Sequence, residues 1–149
     1  MANTYTNLFF HLVFSVKERR KLLSKDVRNR LYPYFGGIAN GNDFKILSCG
    51  GVDDHVHILL SANPNISFSK IVQLIKGNSS KWIHDTFPDL KIFSWQEGYG
   101  AFSVSYSQIE VIKNYIANQE QHHRNMSFED EYIALLKRNN IDFDHRFIF

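Results

Sequence analysis

Cysteine is nearly absent. Cys49 is the only one in 149 residues, so no disulfide can close within the chain. Its apolar setting predicts a small buried hydrophobe, with a zinc thiolate as the lesser alternative. No apolar run approaches membrane-spanning length. The opening residues Met1-Ala2-Asn3-Thr4-Tyr5 lack the charged start and apolar stretch of a secretory signal, so a soluble cytoplasmic protein is expected. A large charge of one sign is missing too. Seventeen Lys and Arg against 15 Asp and Glu leave +2, which announces no polyanionic partner by itself. No internal repeat, low-complexity segment or linker divides the chain. Residues 1–149 are therefore expected to form a single domain.

Aromatic residues are plentiful, with 13 Phe and 7 Tyr. They suit an aromatic core or, alternatively, rings that stack on the bases of a single strand. Basic residues gather early. Lys17, Arg19, Arg20, Lys21, Lys25, Arg28 and Arg30 have only Glu18 and Asp26 among them. Lys70, Lys76 and Lys81 lie on a later helix, whereas acids concentrate near the end, as in Glu129-Asp130-Glu131. A basic cluster of this kind is either a solvated face or a set of phosphate contacts.

Residues 7–16 read as a strand buried on both faces, with His11 inside it. Ser24 caps a helix over residues 24–40, in which Pro33 predicts a kink or a split. Residues 44–49 and 55–61 are strands joined by the turn signal Gly50-Gly51-Val52-Asp53-Asp54, hence a hairpin. Ser67 opens a long amphipathic helix. Residues 92–95 and 101–105 are short strand candidates, a helix follows from Ser107, and a last helix covers about residues 128–137. The aromatic tail from Asn139 packs on the body or on a partner chain. The order β-α-β-β-α-β-α predicts an α+β, ferredoxin-like (split βαβ) antiparallel sheet with helices on one face and an added C-terminal helix.

His55 and His57 stand two apart on a strand and project to the same face, a ready half of a metal site. Tyr115 and Gln119 stand four apart and share a helix face. A glutamine oxygen suits a hard cation such as magnesium or manganese, and a phenolic oxygen can act as nucleophile. Composition alone favours an ordinary amphipathic role for Tyr115, with its ring against the core and its hydroxyl in solvent. Asp53 and Asp54 leave a third course open, a metal-dependent hydrolase using water. A binding module without catalysis is a further reading, since RNA-binding domains share this element order.

Four separated segments resemble the single-tyrosine transposases of the insertion sequence 200/605 type. They are Phe10-His11-Leu12-Val13-Phe14 with Lys17 and Arg19, the histidine-hydrophobe-histidine (HUH) motif His55-Val56-His57, Trp95 to Ser105, and Tyr115-Ile116-Ala117-Asn118-Gln119. The resemblance covers residues 5–123 and leaves 124–149 without a motif. It implies that the added helix is catalytic. His55, His57 and Gln119 would hold Mg2+ or Mn2+. Tyr115 would attack single-stranded DNA to leave a 5′-phosphotyrosine and a free 3′-hydroxyl. It also implies hairpin recognition at element ends and a homodimer in a prokaryotic cytoplasm, with active sites that can be shared between subunits. Residues 102–108 could then be the hinge. Lys17, Arg19, Arg20, Lys70, Lys76 and Lys81 are the candidate phosphate contacts. A non-mobile member that binds nucleic acid or processes host palindromes is the alternative. Both histidines must be neutral to ligate, so activity should fall below about pH 6.

Overall fold

Alternation along the central strands decides what each face of the sheet carries. In the computed structural model, which describes residues 3–149, β1 (Phe9–Ser15) sends Leu12 and Phe14 to one face and His11 and Val13 to the other. β3 (His55–Ser61) does the same, with Val56, Ile58 and Leu60 opposed to His55, His57 and Leu59. With β2 (Lys45–Gly51) and β4 (Gly100–Val104) they form a four-stranded antiparallel sheet, order β2-β3-β1-β4. This is the predicted ferredoxin-like arrangement, with the two most buried strands at its centre.

α1 (Lys25–Asn40) and α2 (Phe68–Thr86) cover the wholly apolar face. Their starts are the expected ones, since Ser24 and Ser67 each accept a backbone N–H of the first turn. Pro33 does not split α1, which continues through it; it faces solvent, where water can satisfy the carbonyl whose partner is lost. Residues 92–95 do not form a strand. Phe93 and Trp95 plug the edge of the core, Trp95 donates to Ser79 Oγ, and pairing is confined to a single bridge between Val16 and Trp95.

The opposite face is covered as well. α3 (Ile109–Ala117) rests on Leu59 through Ile109 and Ile116, and α4 (Gln119–His122) follows directly. α5 (Phe128–Arg138), capped by Ser127, packs Phe128, Tyr132, Leu135 and Leu136 on Val13 and Phe102. The tail returns over α5 through Phe143 and Ile148, so it packs on its own body. Gly50 sets the approach of α3. A Cβ there would stand 2.2 Å from the Ile116 carbonyl oxygen, so only glycine lets this helix lie so close to β2.

Candidate active site

The hairpin places His55 and His57 on the α3–α5 face, both fully buried. α3 and α4 bring Tyr115 and Gln119 over them from the same chain. Gln119 Oε1 is 3.1 Å from His55 Nε2, and the Tyr115 ring centre lies 5.7 Å from that of His57. The four residues singled out in the sequence therefore meet. The helix breaks at Asn118, yet both side chains still point inward.

The structure adds three residues. His11 Nε2 is 2.8 Å from His57 Nδ1. Glu131, on the buried face of α5, places Oε1 at 3.1 Å from His57 Nε2, 3.2 Å from His55 Nε2 and 2.9 Å from His123 Nε2. Its Oε2 accepts from the Tyr115 hydroxyl and, at 3.0 Å, from Gln119 Nε2. One sequence signal could have found Glu131: it is an acid on an otherwise apolar stripe with Phe128, Tyr132 and Leu135. His123 had only its position four after Gln119 to offer.

The chemistry of the donors tests whether a cation belongs here. His55 Nδ1 lies 2.7 Å from Asp54 Oδ1, and His123 Nδ1 lies 2.6 Å from the Met126 carbonyl oxygen. Both oxygens only accept, so each Nδ1 carries a proton and donates it. In the neutral rings each Nε2 is then a lone pair, aimed at Glu131 Oε1, itself an acceptor. Such a convergence of acceptors calls for positive charge at its centre. It is also how outer partners orient metal-binding histidines. The titration of His55 says the same. Burial opposes its charge, but the hydrogen bonds and fields of Asp54 and Glu131 outweigh burial and push its pKa up to about 9. Burial instead lowers His57 to about 4 and His11 to about 3, so both are neutral at pH 7. Glu131 is held ionised, well below the carboxylate range, because bonds to His123, His55 and His57 overcome its burial. Burial and the Glu131 charge together raise Tyr115, so its phenol keeps its proton here. His55, His57, His123 and Glu131 thus form a group that could hold a metal ion, their ligand atoms all within 4.8 Å of one another.

The remaining candidates have other surroundings. Asp54 is the partner of His55 Nδ1 and orients that ring. Lys76 donates to the carbonyls of Gln96, Glu97 and Gly98. Arg19 pairs with Glu129 at 3.1 Å and lies over Phe149, and Arg20 pairs with Glu18. Lys17, Lys70 and Lys81 are exposed. Cys49 packs against the apolar core, and burial pushes its thiol up to about 12. A bare sheet face for stacking bases is absent among the described residues, because helices cover both faces. No helix among them is long and apolar enough to cross a membrane.

Chains similar in sequence and in fold are known. The family described as Transposase IS200 like matches residues 4–119. The ISDra2 transposase TnpA of Deinococcus radiodurans is 31% identical over 117 residues, which is 75% of this chain and 84% of that protein. The transposase for insertion sequence element IS200 of Salmonella typhimurium is 29% identical over 124 residues, 80% of this chain and 81% of that one. A crystal structure from Deinococcus radiodurans, described as that of a transposase, superposes with a TM-score of 0.65 at 28% identity, covering 80% of this chain and 96% of the other. A REP-associated tyrosine transposase bound to a REP hairpin shares the fold, with a TM-score of 0.61 at 17% identity over 83% of this chain and 73% of that one. The matched span contains all four strands and ends on Gln119, while Glu131 lies beyond it. From its strands to its tyrosine helix, then, this chain belongs to the IS200-like transposase family.

Proposed function

We propose that this transposase cleaves and rejoins single-stranded DNA with Tyr115 as the nucleophile. The observation that carries the reading is the meeting of Tyr115 and Gln119 with His55 and His57 in one buried centre. The phenolic oxygen would attack a backbone phosphorus. The bond to the 3′ oxygen would break, leaving a 5′-phosphotyrosine and a 3′-hydroxyl that takes up a proton. Attack by a DNA 3′-hydroxyl on that linkage would rejoin strands without an external energy source. His55, His57 and Gln119 would hold Mg2+ or Mn2+, which supplies Lewis-acid polarisation of the scissile phosphate. Asp54 and His11 would fix the rings of His55 and His57, each through its Nδ1.

The DNA would reach the centre from the end of the sheet where β1 leaves it, since Ser15 pairs with His55 there. Lys17 and Arg19 line a groove of about 620 Å3 at that end together with Tyr99 and Phe147, and Glu18, Glu97 and Asp144 line it too, so its rings rather than its net charge would suit a single strand. Hairpins are the expected substrate form, a reading supported by the fold neighbour described with a REP hairpin. That neighbour equally supports a member acting on host palindromes rather than on a mobile element. A homodimer sharing these sites would have to lift α3 from Gly50, so the one-chain site is the arrangement proposed. The cytoplasm, where the DNA is, is the expected location.

The test mixes protein, Mn2+ and labelled single-stranded hairpin DNA, then denatures. Wild type should give a covalent adduct that mass spectrometry places on Tyr115. Tyr115→Phe should bind the hairpin and form none. An adduct on the Phe variant would reject the assignment.

A further inference from the structure

We infer that Glu131 and His123 are ligands of the divalent cation at this centre, so that α5 and the segment before it complete a site begun by β3. This rests on the metal-binding reading above.

Three observations carry it. First, Glu131 is 1% exposed, yet no Lys or Arg pairs with it among the described residues. A buried carboxylate needs positive charge, and the only groups around Oε1 that could supply it are imidazoles. Second, His123 is oriented as a ligand. Its Nδ1 proton is spent on the Met126 carbonyl, which turns the Nε2 lone pair toward Glu131 Oε1 at 2.9 Å. Third, the ligand atoms of His55, His57, His123 and Glu131 lie within 4.8 Å of one another, the spread expected around one ion. Glu131 brings the one formal negative charge to a set otherwise made of neutral imidazoles and an amide. That charge offsets part of the cation's own and favours its retention in a buried place. The packing of α5 serves the same end, because Phe128 and Tyr132 on either side of Glu131 seat the helix on Val13 and Phe102.

Mn2+ alone is the probe, measured by calorimetry and by electron paramagnetic resonance, without DNA. Wild type should bind one ion. Glu131→Gln, which keeps the size of the side chain, should weaken binding about 10-fold or more, and His123→Gln likewise. Glu131→Asp should restore part of the loss. Nitrogen couplings to the ion should fall by one imidazole in His123→Gln and not in Glu131→Gln. Asp130→Asn, on the exposed side of α5, should bind as wild type does. Circular dichroism checks that each variant is folded. Unchanged or tighter binding by Glu131→Gln would overturn the inference while leaving His55 and His57 as the site, since the carboxylate would then only compete for their nitrogens. Failure of wild type to bind would remove the metal reading itself.

Discussion

The two faces of one sheet solve opposite problems with the same strands. Toward α1 and α2, β1 and β3 present Leu12, Phe14, Val56, Ile58 and Leu60 to an apolar core. Toward α3 and α5 the same strands bury His11, His55 and His57, with Glu131 lowered onto them. One face gains stability from area removed from water. The other places imidazoles and a carboxylate where water cannot satisfy them, so their hydrogen bonds must be complete. Stability and chemistry are therefore separable by face, although neighbouring residues in the chain serve each.

Acid should separate the faces most sharply. In metal-free protein the unfolded chain protonates its histidines near pH 6.5, while folded His57 and His11 stay neutral down to about 4 and about 3. Between those limits the unfolded state binds more protons, so stability falls as pH drops from 6.5 toward 4. Glu131, held ionised in the fold, adds to the loss where the unfolded carboxylate protonates. His55 works the other way. Its contribution is complete below pH 6.5 and is lost as pH rises through about 9. Urea denaturation in chelator should therefore give a stability maximum near pH 6.5, with a steeper acid limb because two histidines and Glu131 act together. A profile level from pH 4 to pH 9 would contradict the assignment.

Phe14→Ala should probe the other face. Phe14 is fully buried against Trp95, with ring centres 4.7 Å apart, and its loss should cost about 3–5 kcal/mol. The histidine face should keep its pH profile, displaced downward as a whole. A change in the shape of that profile would show the faces to be coupled.

Much of this division is legible in the sequence. A run rich in β-branched and aromatic residues exposes β1, a turn signal before it marks β3, serine caps mark α1 and α2, and His55-Val56-His57 declares itself within three residues. Gln119 is legible through its motif although it stands 64 positions from His55, whereas the bonds that His57 makes to His11 and Glu131 are not. His11 stands 46 positions from His57, and Glu131 stands 74 from it. Within the run 129–131, only its place on the apolar stripe of α5 sets Glu131 apart from acids that decorate the first turn of a helix. Residues 92–95 mislead for a related reason: a run of apolar and aromatic residues satisfies a strand pattern, but packing can use its side chains without pairing its backbone.

The smallest expected effect comes from the residue where the two faces meet most closely in sequence. His11 and Leu12 are neighbours on β1, yet Leu12 belongs to the apolar core and His11 faces His57 and Tyr115, with Phe102 beside it. For His57 to present Nε2 as a lone pair, its proton must sit on Nδ1, and His11 Nε2 is the acceptor placed to hold it there. His11→Ala frees the ring of His57 without removing a ligand. Mn2+ affinity should then fall about 10–100-fold, with a urea midpoint shifted less than in Phe14→Ala. His11→Asn, whose side-chain oxygen can also accept, should recover part of the affinity but none of the acid sensitivity. Equal affinity in wild type and His11→Ala would return His11 to the role of a core residue, and with it the claim that this face is built outward from its imidazoles.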